Sequence, residues 1–185
     1  GLRFDRAVDF VLAIDGRENS RLLVQERYEV LRAMFYHETH DADAYLDPPD
    51  ADTPLFKPID LMLQTATPLL TGNWQASSET YETGDLTYGN ANPAAPDYDS
   101  LADFIFAGDY VELKLPWQLL NFSDPSRMTI HDDYYENYGV DYITIDTMYL
   151  GLTDGAAQER TPLYPAALKG WGNTVSYHER LKPSY

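Results

Sequence analysis

The chain has 185 residues, 44% of them hydrophobic and 14% aromatic, which suits one domain with its own core and excludes a disordered segment. Thirteen basic residues stand against 30 acidic ones, a formal charge of −17 that repels phosphate backbones and anionic membrane surfaces but leaves neutral ligands, cations and basic partners open. With no cysteine there are no disulfides, thiolate metal sites or cysteine nucleophiles, and no apolar run has the length of a membrane span.

Val8, Phe10, Leu12 and Ile14 alternate with Asp9, Val11, Ala13 and Asp15, the period of a strand. Asp15-Gly16-Arg17-Glu18-Asn19 is turn chemistry and Ser20 to Gln25 reads as a second strand, so residues 7–25 form a hairpin. Glu26 to Phe35 is ambiguous, with helical spacing of Tyr28, Leu31 and Phe35 in a segment that could also extend the sheet. Residues 37–55 are polar, acidic and proline-containing, a long surface loop. Ile59, Leu61 and Leu63 alternate with Asp60, Met62 and Gln64 as a third strand, and 66–76 is a turn-rich connection carrying Trp74.

Ser78 to Tyr88 reads as a polar strand or hairpin, residues 89–100 as a second long loop, and Leu101 to Phe106 as an apolar lead into the next strand. In that strand Val111, Leu113 and Leu115 face one way and Tyr110, Glu112 and Lys114 the other, the pattern of half-burial. Pro116 has no N–H for a ladder and ends it. Trp117 to Leu120 makes an apolar knot of one helical turn, residues 121–126 read as a turn, and 131–139 as a loop. Tyr142 to Leu152 is a strand whose inward set changes phase between Ile145 and Met148, the mark of a bulge. After 155 the pattern is weak, with Trp171 and a last strand at 174–177. Roughly seven to nine strands with few short helices predict an all-β fold, an antiparallel β-sandwich, in a single domain spanning 1–185.

Motifs for chemistry are sparse. Asp41, Asp43, Asp47, Asp50 and Asp52 crowd one loop and could ligate Ca²⁺, which takes six to eight oxygens, although the spacing is not that of an EF-hand. Asp15-Gly16-x-x-Asn19 and Asp97-x-Asp99 are smaller fragments of the same kind. His37 and His40 are three apart and do not form the helical HExxH motif; His131 and His178 lie far away. Glu112 and Asp146 sit mid-strand, where a pair of carboxylates would serve glycoside hydrolysis only if one were desolvated. Nucleophile elbow, phosphate loop and dinucleotide fingerprint are all missing, so no catalytic residue is assigned. Asn121-Phe122-Ser123 matches a glycosylation sequon. The stronger lead is aromatic. Sugars stack their C–H faces on rings while amides and carboxylates hold the hydroxyls. Trp74, Tyr81, Tyr88, Trp171 and Tyr177 lie near loops or strand ends, with Asn90, Asn92, Asp97 and Asp99 as polar partners. Trp117, inside its apolar knot, reads as core.

Residues 4–28 (FDRAVDFVLAIDGRENSRLLVQERY), 88–104 (YGNANPAAPDYDSLADF), 111–126 (VELKLPWQLLNFSDPS) and 177–185 (YHERLKPSY) together resemble a C-terminal region of large bacterial proteins often labelled family 2 glycosyltransferases. The hairpin followed by a strand ending in a Pro-Trp knot is similar to the β-sandwich of family 9 carbohydrate-binding modules, a jelly-roll type. These resemblances imply an accessory domain of a larger bacterial protein, without chemistry of its own, extracellular or at the cell surface. The glycosyltransferase label finds no support in the residues: Asp41-Ala42-Asp43 sits in a polar loop and follows no apolar strand. The expected function is non-catalytic carbohydrate binding, with Ca²⁺ as the one candidate ion and other domains of the parent chain as partners. Nucleic acid and membrane insertion are excluded. The alternatives are a glycoside hydrolase or lyase using a carboxylate pair, and a structural domain packing against a catalytic neighbour. The hydrolase needs two facing carboxylates, the lectin-like module coplanar exposed rings, and the packing domain a large apolar patch.

Overall fold

The computed structural model describes residues 2–28, 49–64, 67–68, 75–76, 79–131, 141–155 and 160–172. The fold is all-β, as expected: its strands are antiparallel and its helical content, among the described residues, is two short 3₁₀ turns at Glu26–Tyr28 and Trp117–Leu120. The sheets are small and unclosed, with two or three strands each.

The first sheet has the order β1 (Phe10–Ala13), β2 (Arg21–Gln25), β3 (Phe56–Pro58). β1 and β2 form the expected hairpin, with Phe10 opposite Val24 and Ala13 opposite Arg21. Ser20 closes its turn: the hydroxyl accepts from the Asp15 N–H at 2.9 Å and donates to the Gly16 carbonyl at 2.7 Å. Alternation in β2 places Leu22 and Val24 in the core at 2% and 3% exposure. β3 pairs with residues 23–25 of β2, and the earlier half is taken by residues 84–86. Leu22 N–H donates to Gly84 O at 2.8 Å and Leu86 N–H to Ser20 O at 3.0 Å. The backbones approach so closely there that a Cβ on Gly84 would collide with the Leu22 carbonyl.

β4 (Asp60–Gln64) pairs with β7 (Glu79–Glu82), and the short β5 (Thr67–Pro68) and β6 (Gln75–Ala76) pair between them, so the stretch expected to be a plain connection carries a small hairpin of its own. β8 (Phe104–Ala107) and β9 (Tyr110–Leu113) form a hairpin turning at Gly108, whose φ of 64° is costly for other residues. Phe104, at 1% exposure, is the largest side chain of the core and is flanked edge-on by Tyr88 and Phe106. β9 departs from expectation: Val111 and Leu113 share the face of Phe104 and Phe106 yet are exposed, because the ladder extends beyond the side chains that cover Phe104.

Pro116 leads into the expected helical turn at 117–120, and Asn121, in the left-handed region at φ 63°, ends it. Residues 121–126 are not all turn. Phe122–Asp124 is strand β10, because Phe122 is buried and pulls the backbone into a ladder with β11 (Thr129–His131). His131 therefore lies in a strand and not a loop. The phase change after Ile145 is a break between β12 (Tyr142–Thr144), which pairs with β11, and β13 (Thr147–Leu150), which pairs with β14 (Tyr164–Ala167) in a separate sheet. β14 falls in the segment that has little sequence pattern. A clasp joins the two ends of the described chain: Thr161 N–H donates to Arg3 O at 2.7 Å, Asp5 N–H to Thr161 O at 3.1 Å, and Leu163 N–H to the Asp5 carboxylate at 3.2 Å.

Two stability outcomes follow from these contacts. Gly84→Ala should lower the unfolding free energy by about 1–3 kcal/mol in a denaturant titration, since β2 and residues 84–86 must separate to admit the methyl. Gln25 is 1% exposed and its Oε1 accepts no hydrogen bond among the described residues. Gln25→Met, which removes an unsatisfied acceptor at similar volume, should raise stability by about 1 kcal/mol; a loss instead would mean that the amide has a partner.

Candidate functional site

The exposed aromatic of greatest interest, Trp171, is held by a chain of contacts that starts at Asp124. Its Oδ1 accepts from the Ser126 hydroxyl at 2.6 Å and from the Ser126 N–H at 3.0 Å, and these bonds, the hydroxyl first, hold the Asp124 carboxyl below its usual pKa. The turn so fixed presents the Ser126 carbonyl to the tail. Gly172 N–H donates to it at 3.3 Å, and a Cβ on Gly170 would collide with it. Between these glycines Trp171 stands at 60% exposure, its ring 6.4 Å from that of Trp117, which packs edge-on against buried Phe122 at 4.7 Å. Trp117 is half-buried, in keeping with its reading as core, and it buttresses Trp171 across 54 residues of sequence, a link that no local pattern announces. The planes of the two indoles are inclined at 45°, so they make a corner and not a flat platform.

The other expected ligand residues are dispersed. Tyr81 lies exposed on β7. Tyr88 is half-buried against Phe104 and Phe106, and the guanidinium of Arg17 sits 4.5 Å from its ring centre, on a face that a sugar would otherwise use. Asn90 is committed to its own loop: Nδ2 donates to Asp97 Oδ1 at 2.9 Å and Oδ1 accepts from Asn92 N–H at 3.0 Å. Asn92 caps Ala94 N–H and Asp99 caps Leu101 N–H, so this polar run shapes residues 89–103. Trp74 and Tyr177 lie outside the described residues.

Of the proposed Ca²⁺ ligands, Asp41, Asp43 and Asp47 lie outside the described residues. Asp50 and Asp52 are exposed on a turn closed by Thr53 N–H donating to Asp50 O at 3.1 Å. Among the described residues no three histidine or acidic side chains converge as a metal group. His37, His40 and His178 lie outside those residues as well. Glu112 and Asp146 are both exposed and belong to different parts of the fold: Glu112 is opposite Ile105 in β9, and Asp146 lies in the break between β12 and β13, accepting from the Thr147 hydroxyl at 2.9 Å. One carboxylate pair does face across a ladder, Asp60 opposite Glu82, but Glu82 is taken by Arg21 at 3.3 Å. The sequon Asn121 is half-buried and donates its amide to His131 O at 3.3 Å.

His131 packs 5.2 Å from Tyr142, its cross-strand partner, and desolvation lowers its pKa below the ordinary 6.5. The folded state therefore binds fewer protons than the unfolded chain. The stability this contributes is full above about 6.5 and is lost as pH falls toward the lowered folded value. In thermal melts between pH 7.5 and 5, His131→Gln should flatten the decline; an unchanged slope would assign the decline to other groups.

Comparison of the chain with protein-family models, with curated proteins and with solved structures finds no match.

Proposed function

We propose that this is a non-catalytic accessory domain that works by contact, packing its open apolar faces against another protein surface, as a module of a larger bacterial protein would. The observation that carries the reading is the exposure of paired apolar side chains on three separate hairpins. They are Leu61, Leu63 and Tyr81 on β4/β7, Val111 and Leu113 on β9, and Leu150 and Tyr164 on β13/β14, with Leu152 beyond at 96% exposure. Single exposed apolar residues are ordinary on any surface; cross-strand clusters of them are not. The absence of a desolvated carboxylate pair among the described residues gives the hydrolase or lyase alternative no support. No helix among the described residues is long and apolar enough to cross a membrane.

Carbohydrate binding at the cell surface is the second reading, favoured by Trp171. An indole fixed by two backbone-packed glycines and left open offers a sugar C–H face a preformed surface. The inclination of Trp117 suits one sugar ring against Trp171 better than an extended flat chain.

A glycan array on the folded chain, run with Ca²⁺ and again with EDTA, separates the two. The packing reading expects silence in both conditions. Glycan binding weakened at least about tenfold by Trp171→Ala, equivalent to 1.4 kcal/mol, would establish the sugar site in its place. Dependence of that binding on Ca²⁺ would bring the aspartates of residues 41–52 into it.

A further inference from the structure

The β4/β7 ladder is turned inside out. Its half-buried side carries Asp60, Met62 and Glu82, and its exposed side carries Leu61 at 46%, Tyr81 directly opposite at 60%, and Leu63 at 56%. Slipping the pairing by one residue would exchange the two faces. The observed register is anchored. Glu82 is bound to Arg21 of β2 at 3.3 Å, and Thr83 donates both its N–H and its hydroxyl to Ile59 O, at 2.7 and 3.1 Å. A polar interior face held by an ion pair, under an apolar exterior face, is the arrangement of a sheet whose second layer comes from elsewhere.

The charges around this face are unbalanced in a way that the other open hairpins are not. Asp60, Glu79, Glu82 and Asp85 surround the ladder, and Arg21, already paired with Glu82, is the one cation among them. Beside Val111 and Leu113 the charges are mixed, Glu112 with Lys114; near Leu150 and Tyr164 they are again mixed, Asp154 with Arg160 and Lys169. A second copy of the chain would bring its own −17 to an acidic rim. We propose, resting on the packing reading, that Leu61, Leu63 and Tyr81 form the docking surface for a protein segment that presents apolar side chains bordered by lysine or arginine.

The test is an amide-resolved NMR titration of the chain with a short peptide of alternating leucine and lysine, and with its leucine–glutamate counterpart. Shifts should concentrate at Leu61, Leu63 and Tyr81 with the lysine peptide and be absent with the glutamate one. Leu63→Asn should weaken binding about tenfold, and raising NaCl from 50 to 300 mM should weaken it several-fold. Because Leu63 is exposed, Leu63→Asn should leave the melting temperature unchanged, and Leu61→Asn serves as a second variant with the same expectation. A fall in melting temperature for both would mean that the face is part of the core and would overturn the proposal. Shifts spread over the acidic surface and indifferent to Leu63→Asn would reduce the binding to charge alone and also overturn it. Shifts centred on β8/β9 or β13/β14 would keep the packing reading while removing this surface from it. Dimerisation of the free chain that is lost in Leu63→Asn would replace the basic partner with a second copy, and no binding with no dimerisation would overturn both readings.

Discussion

Strand β2 is hydrogen-bonded along both edges, and the rest of the described structure is arranged around that constraint. β1 takes one edge; β3 and the segment 84–86 divide the other between them. A strand so enclosed has no free backbone group to lose to water, and its alternate residues Leu22 and Val24 can be buried completely. The division of the second edge ties residues 56–58 to residues 84–86, and so holds β4 and β7, which extend from those two segments, close to the first sheet. Gly84 is the point at which this becomes a steric requirement, since any side chain there would push the two backbones apart.

Much of this was legible from alternation. The period of two identifies the hairpin of β1 and β2, β4, and the hairpin of β8 and β9, and Pro116 marks where the ladder must stop. What alternation cannot say is which of two faces is inside. Val111 and Leu113, or Leu61 and Leu63, look like core positions because the pattern assumes that whatever covers an apolar face belongs to the same chain. Turn-forming residues mislead in the opposite direction. Ser123 and Asp124 belong to a turn vocabulary, yet burial of Phe122 outweighs that preference and makes a strand.

The candidate site was less legible, for a different reason. Tyr81 and Tyr88 are seven residues apart and look equally eligible, but one ring is open and the other is wedged between phenylalanines beneath an arginine. The pairing of Trp117 with Trp171 depends on a tail meeting a turn, a contact set by Ser126 and two glycines that carry no signal of their own. Asn90 and Asp99 show a third limit: amides and carboxylates beside aromatics suggest ligand contacts, and here they are occupied with capping their own loop.

The clasp between residues 3–5 and 161–163 bears on how the chain comes together. Leu163 and Asp5 are 158 positions apart, so almost every hairpin lies within the loop that their contact closes. Closure of so long a loop is favourable only after the intervening hairpins have shortened the distance between its ends. During synthesis, then, the earliest residues to leave the ribosome wait for nearly the last ones. Arg6, whose guanidinium rests 3.6 Å from the ring centre of Tyr149, has no ring to meet until β13 has emerged. For most of its birth the protein is a string of small sheets, and its first segment is the final one to be fastened.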